Sequence, residues 1–137
     1  MAASRKIALL IPLVAAFLPA GASGQDVLGG QNPSVTEATL LPKFCWGQYL
    51  GGKFKGPEFE IPRDTCGVAM NHYCPALVAL GRAHTSFSDN YKLGNLETAK
   101  RGVLYTLRGM EKYPRCPIRG HVTSTYQVIE RELNLLR

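Results

Sequence analysis

The chain has 137 residues, a formal net charge of +6 and four cysteines, and 45% of its residues are hydrophobic. A chain of this length forms one compact domain, which excludes a multidomain architecture. Its lysine and arginine residues are dispersed among the acidic ones without a long basic run, which argues against a nucleic-acid-binding groove. A dispersed positive charge is more typical of solubility than of a particular partner.

Residues 1–22 have the features of a secretory signal peptide. Arg5 and Lys6 give a positively charged start, and residues 7–20 form an apolar stretch. This stretch is shorter than the roughly 20 residues that a membrane-spanning helix needs, and Ala20-Gly21-Ala22 fits the small-residue cleavage motif. We predict cleavage, periplasmic or secreted localisation and no stable membrane insertion, with an uncleaved anchor as the alternative. The net charge then falls from +6 to +4 because Arg5 and Lys6 are removed.

Residues 23–38 predict a flexible lead-in to the domain. The segment is rich in glycine, serine, asparagine and glutamine and lacks hydrophobic periodicity, so it cannot bury enough apolar surface to offset its conformational entropy. A single helical domain is then predicted to span 39–137. It begins with a short helix over 39–50, in which Pro42 occupies a tolerated position in the first turn.

Residues 51–63 predict an irregular loop, because the segment contains three glycines and two prolines. Its hydrophobic side chains alternate along the chain, and we expect them to tuck down onto the domain. Binding residues concentrate in loops that a rigid scaffold positions. The candidate contact residues for a partner are therefore Lys53, Phe54, Lys55 and Phe59.

Two longer helices follow this loop, with a third after them. Asp64 and Thr65 suit the N-cap of the first, but Pro75 leaves two alternatives open. Either one helix is kinked at Pro75, or a short turn precedes a helix that begins near it. Apolar residues three and four apart predict a second helix over 91–113, and the same spacing predicts a third from Ile118 almost to the C-terminus.

Three glycines, Gly94, Gly102 and Gly109, recur along the predicted second helix. Each costs up to ~1 kcal/mol relative to alanine in a helix interior. Their recurrence indicates that another helix approaches closely there. The predicted fold is all-α: a small antiparallel helical-hairpin bundle of three main helices plus a short N-terminal helix, cross-linked by disulfides.

The four cysteines predict two disulfides, because export places an even number of cysteines in an oxidising compartment. A Cys66–Cys74 bridge is disfavoured, since a helical segment of that length spans about 12 Å, beyond the ~7 Å limit for bridged Cα atoms. Both other pairings join Cys116 to the start of the first long helix. Cys66–Cys116 with Cys45–Cys74 is preferred, and Cys74–Cys116 with Cys45–Cys66 stays open.

Candidate catalytic and metal-binding groups occur without a recognised motif. The absence of CxxCH and CxxC from the sequence excludes c-type haem attachment and a thioredoxin-like redox site. His72, Cys74 and His84 can be drawn as a metal site, but His72 and Cys74 fall on different helix faces. The polar residues weighed for catalysis are Glu58, Asp64, His72, His84, Ser86 and Ser88. No hydrolase motif joins them, and we expect no catalytic residue, no cofactor and no metal.

Leu80-Gly81, Gly94, Ala99 and Tyr113-Pro114 resemble the pattern of a tetratricopeptide repeat, a helix–turn–helix unit of about 34 residues. In overall make-up the chain also resembles small exported α-helical proteins of proteobacteria. The repeat resemblance implies a role in contacts between proteins. We therefore expect an exported interaction module or accessory subunit of a cell-envelope complex, whose partners are other envelope or periplasmic proteins. A small-ligand or metal-binding periplasmic protein is the alternative, and a small hydrolase-type enzyme is a lesser one.

Overall fold

The computed structural model describes residues 32–137, and the signal-peptide prediction for 1–22 lies outside these residues. The described part is helical and contains no strand. Its α-helices are α1 (Val35–Leu40), α2 (Trp46–Tyr49), α3 (Arg63–Cys66), α4 (Tyr73–His84), α5 (Asp89–Met110) and α6 (Arg119–Leu136), with 3-10 turns at Lys43–Cys45 and Val68–His72. The prediction of an all-α fold cross-linked by disulfides is confirmed for this part of the chain. None of these helices is both long enough and apolar enough to span a membrane.

The first helix, α1, begins inside the stretch 23–38 that the sequence predicted as a lead-in. A capping box starts it: the Ser34 hydroxyl accepts a hydrogen bond from the Glu37 backbone N–H at 3.2 Å, and the Glu37 carboxylate accepts one from the Ser34 N–H at 2.8 Å. These bonds satisfy two of the backbone donors that a helix leaves free at its start. Local capping therefore sets this boundary, and hydrophobic periodicity does not.

The single short helix predicted over 39–50 is divided in the structure. Leu41 has extended backbone angles (φ −72°, ψ 157°) and ends α1, because a residue that precedes proline is sterically kept out of the helical region. Pro42 then opens the 3-10 turn at Lys43–Cys45, and α2 follows directly. The prediction that placed Pro42 within the first turn of one continuous helix was wrong for this reason.

The two alternatives for Pro75 are resolved in favour of a turn followed by a helix. The α3 helix ends at Gly67, whose φ of 83° is left-handed, and the 3-10 turn Val68–His72 leads into α4. Pro75 is the third residue of α4, where the missing N–H has no acceptor within the helix in any case. The helix is therefore not broken at this position.

The second and third long helices, α5 and α6, lie close to the ranges that the apolar spacing predicted. Ser88 caps α5, because its hydroxyl accepts a hydrogen bond from the Tyr91 N–H at 3.4 Å. At the other end of α5 the Arg119 guanidinium, from the start of α6, donates to the backbone carbonyls of Met110 and Tyr113. Both carbonyls also accept backbone hydrogen bonds, from the N–H groups of Tyr113 and Cys116, so Arg119 adds a second donor to each and connects the two helices.

Close packing of α5 depends on two of its three glycines. A Cβ atom on Gly102 would lie 2.8 Å from the Cβ of Ala76 in α4, and one on Gly109 would overlap the Cβ of Ala69 in the preceding 3-10 turn. Gly94 faces open space. The predicted close approach therefore holds at Gly102 and Gly109 and fails at Gly94. The fully buried large side chains of the core include Tyr73, Leu96, Val103, Met110, Val122, Ile129 and Leu133.

The structure joins Cys45 to Cys74 and Cys66 to Cys116, with Cα–Cα distances of 5.6 and 4.7 Å. This is the pairing preferred from the sequence. The first bridge fastens the segment before α2 to the first turn of α4. The second joins the end of α3 to the segment between α5 and α6, so both bridges lie at the end of the α4–α5 pair where α4 starts and α5 ends.

Ion pairs fasten α6 along α5. The Lys100 ammonium lies 2.6 Å from the Glu130 carboxylate, and the Arg137 guanidinium lies 3.0 Å from that of Glu97. By its sequence position Glu130 belongs to the polar side of α6, together with Thr123, Gln127 and Arg131. The structure places it against α5 instead, because an ion pair with Lys100 is available there.

Candidate functional site

The loop between α2 and α3 is held by a small aromatic cluster. The Trp46 ring centroid lies 5.3 Å from that of Phe54 and 6.1 Å from that of Phe59, and the two phenyl rings are 5.3 Å apart. All three side chains are half-buried. Such ring pairs contribute roughly 0.5–1.5 kcal/mol beyond their buried area, so the cluster orders a loop that has no backbone ladder of its own.

Gly47 in α2 allows this loop to lie directly on the helix. Its N–H donates a hydrogen bond to the Phe59 carbonyl at 2.8 Å. A Cβ atom at this position would lie 2.8 Å from that carbonyl oxygen and 2.6 Å from the Cγ of Glu60. Only glycine therefore permits the loop to pack this closely onto α2.

The four predicted contact residues fall into two groups. Lys53 and Lys55 are exposed, and the Lys53 ammonium lies 5.4 Å from the centre of the Phe54 ring, within cation–π distance. Phe54 and Phe59 belong to the aromatic cluster with Trp46. We call the exposed side of this loop, with Lys53 and Lys55 above the half-buried Phe54 and Phe59, the loop surface.

A cleft of about 760 Å³ lies beside the loop surface. Gln48 and Asn71 both line the cleft, and the side-chain amide of Gln48 donates a hydrogen bond to the backbone carbonyl of Asn71 at 3.4 Å. The cleft is lined by Phe44, Gly47, Gln48, Gly56, Pro57, Glu60, Ile61, Pro62, Arg63, Asp64, Met70, Asn71 and Cys74. None of the four predicted contact residues lines it, and of the polar residues weighed for catalysis only Asp64 does. The cleft therefore has mixed charge and no concentrated reactive group.

The remaining residues weighed for catalysis are distributed over separate contacts. Glu58 pairs with Lys43 at 2.9 Å on the surface, and His84 lies 2.7 Å from the carboxylate of Glu132. The His72 ring packs on Tyr105 with 4.3 Å between centroids. The hydroxyls of the two candidate serines act in the turn before α5: Ser86 donates to the Ser88 carbonyl, and Ser88 caps the helix. The structure does not bring these residues together.

Within residues 32–137 no three histidine, cysteine, aspartate or glutamate side chains are grouped as metal ligands would be. The set drawn from the sequence, His72, Cys74 and His84, loses its sulfur ligand because Cys74 is in a disulfide. A disulfide sulfur cannot serve as the thiolate ligand that zinc requires.

One polar network, in which Tyr73 and Thr125 are buried and His121 is exposed, was missed from the sequence. The hydroxyl of Tyr73, in α4, lies 2.7 Å from that of Thr125 and also contacts the Nδ1 of His121, both in α6. The Thr125 hydroxyl donates to the His121 backbone carbonyl at 2.9 Å, so it is free to accept from Tyr73. In this arrangement the Tyr73 hydroxyl donates to Thr125, and its oxygen can accept a hydrogen bond when Nδ1 of His121 carries a proton.

Burial raises the pKa of Tyr73 to about 12, although the hydrogen bond to Thr125 opposes the shift. The phenol therefore stays protonated at neutral pH and serves as a polar contact between α4 and α6. No spacing in the sequence links Tyr73 to His121, which lies 48 positions later. The loop surface and the adjacent cleft are thus two features available for recognition. No family model, curated protein or solved structure matches this chain.

Proposed function

We propose that this protein is an exported helical module for protein–protein interaction, such as an accessory subunit of a cell-envelope complex, with no catalysis of its own. The observation that carries the proposal is the loop surface: the Trp46–Phe54–Phe59 cluster holds Lys53 and Lys55 outward. A loop that is ordered before binding loses less conformational entropy when it meets a partner. The two disulfides are compatible with an oxidising compartment.

The arrangement of helices in this proposal is an antiparallel hairpin of α4 and α5 with α6 against it, similar to a degenerate tetratricopeptide repeat. The contact between Gly102 and Ala76 supports close packing of the first two helices. The disulfide between Cys66 and Cys116, before α4 and after α5, supports their being side by side. In this role the helices act as the rigid support and the loop acts as the recognition element.

The proposal is tested by reversing the two loop charges. The variant Lys53→Glu/Lys55→Glu changes side chains that are exposed, so its melting temperature should fall only slightly, through loss of the Lys53–Phe54 cation–π contact. The tagged protein is cross-linked in its own cells and captured, and its partners are quantified by mass spectrometry. We expect the main partner to be lost, because reversal replaces attraction to the partner's carboxylates by repulsion.

The matched control is Arg115→Glu/Arg131→Glu, which carries the same change in net charge at exposed positions outside the loop surface. It should retain the partner that the loop variant loses. Equal recovery from the native protein and the loop variant would contradict the proposal. So would equal loss from the loop variant and its control, because the effect would then reflect net charge alone.

The cleft beside the loop favours one second candidate, the binding of a small ligand. Its volume of about 760 Å³ lies within the range of small-molecule sites. A ligand that binds only the folded state raises the melting temperature, so a panel of small molecules and divalent metals tests this candidate. An increase that disappears in Asn71→Trp, which fills the cleft, supports ligand binding there. No increase across the panel removes the candidate.

A further inference from the structure

We propose that the exposed face of α5 binds an acidic peptide segment of a protein partner, independently of the loop surface. Arg101, Tyr105 and Arg108 follow one another at intervals of four and three residues, which places them on the same side of the helix. All three are exposed, and Tyr105 retains 53% of its accessible surface. We call these three residues the basic stripe.

Packing of the opposite positions directs the stripe outward. The side of α5 opposite the stripe faces the core, where Ala99, Val103 and Met110 are fully buried. The basic side chains of α5 differ in whether they pair with a carboxylate. Lys100 pairs with a carboxylate of α6 at 2.6 Å, whereas Arg101 donates at 3.1 Å to the neutral hydroxyl of Thr98.

Carboxylates near the stripe do not neutralise its two guanidinium groups. Glu97, one turn before Arg101, pairs with Arg137 at 3.0 Å. Glu111 is exposed beyond Arg108 and, among residues 32–137, no carboxylate lies within ion-pair distance of Arg101 or Arg108. The two arginines, about 10 Å apart along the helix axis, therefore present their charge to solvent.

The chemistry of the stripe favours a peptide carboxylate over a membrane surface. A guanidinium group has a planar fork of donors that matches a carboxylate in bidentate fashion. Between the two arginines lies Tyr105, whose ring packs on His72 with 4.3 Å between centroids and so loses little freedom on binding. A membrane-binding face requires several apolar side chains that project into the bilayer, and on α5 the exposed large apolar side chains are Tyr91 and Tyr105.

The test uses a fluorescein-labelled peptide of about eight residues with glutamate at alternate positions, which in extended form spans about 26 Å. Binding to the oxidised protein is measured by fluorescence anisotropy at low and moderate salt, and the same peptide with glutamine serves as the neutral probe. We expect only the glutamate peptide to bind, with an affinity that falls as salt rises.

The variant Arg101→Glu/Arg108→Glu should weaken binding about tenfold or more, because it replaces two attractive contacts by two repulsive ones. Tyr105→Ala should weaken it about fivefold through loss of the central aromatic contact. The control Lys55→Glu/Arg131→Glu carries the same change in net charge at exposed positions outside the stripe, and it should weaken binding by less than about threefold. Unchanged melting temperatures show that all variants are folded.

Equal weakening in the stripe variant and its control would overturn the proposal, since binding would then follow net charge. Equal affinity for the glutamate and glutamine peptides would also overturn it. In a last experiment, binding of the same variants to vesicles that contain anionic phospholipid is measured. If the stripe variant loses vesicle binding but keeps peptide binding, the face is a membrane-binding surface and the peptide assignment is wrong. The loop variant Lys53→Glu/Lys55→Glu should still bind the peptide, which separates this result from the proposed function.

Discussion

Replacement of Gly109 by alanine tests the packing of α5 most sharply, because the same replacement at Gly94 should have the opposite effect. Alanine is favoured over glycine in a helix interior by up to ~1 kcal/mol. At Gly94 a new Cβ would meet nothing within 4 Å, so the protein should gain about 0.5–1 kcal/mol. At Gly109 the new Cβ would overlap the Cβ of Ala69. Overpacking of this kind costs about 1–3 kcal/mol, and a net loss of about 1–2 kcal/mol is expected.

Urea unfolding of the two variants is monitored by circular dichroism, with both disulfides intact. The midpoint should rise for Gly94→Ala and fall for Gly109→Ala, with equal slopes. Ala69→Gly added to Gly109→Ala should restore part of the loss, with a coupling of about 1 kcal/mol between the two sites. Similar gains at Gly94 and Gly109 would refute the close contact between α5 and the 3-10 turn before α4.

Three further predictions concern single contacts. The hydrogen bond from Arg82 lowers the pKa of Glu37 from 4.5 to about 2, so Glu37→Gln should lose ~1 kcal/mol at neutral pH after allowance for a side chain that is 35% exposed. A lowered pKa in the folded state means that this difference is present above pH 4.5 and disappears as the pH falls towards 2, which acid titration of unfolding checks. Removal of the Cys66–Cys116 bridge, which closes a separation of 50 residues, should cost about 4 kcal/mol in denaturant unfolding. Tyr73→Phe should cost about 0.5–1.5 kcal/mol, because it removes the contacts of the hydroxyl with Thr125 and His121 in α6, and an unchanged melting temperature would show that these contacts do not stabilise the fold.

The helices could be predicted from sequence where apolar spacing controls them, as in α5 and α6. Short elements could not be predicted, because their boundaries depend on single local contacts. The capping box of Ser34 and Glu37 starts α1 within a polar segment, and the steric effect of Pro42 on Leu41 ends it. The position of Pro75 in the first turn of α4 follows from the same kind of local rule, and there the sequence left two alternatives.

The positions of the candidate sites depend on which side of each helix or loop packs against the rest of the domain. The spacing of Arg101 and Arg108 is visible in the sequence, but which cations of α5 are paired depends on α6, whose Glu130 lies 2.6 Å from Lys100. The apolar side chains of the loop were expected to pack down onto the domain, but the sequence did not show that Phe54 and Phe59 would pack on Trp46. Contacts of this kind occur in an irregular loop and leave no periodic signal in the sequence.

The most direct test of the interaction proposal is site-specific photo-cross-linking in the cell of origin. A photoreactive amino acid replaces Lys55 on the loop surface in one variant and Arg131 on α6 in another; both positions are exposed. The account predicts one dominant adduct with a partner protein from position 55 and none with that partner from position 131. Adducts of equal yield from both positions, or no adduct from position 55, would contradict the proposal that the loop surface is where the partner binds.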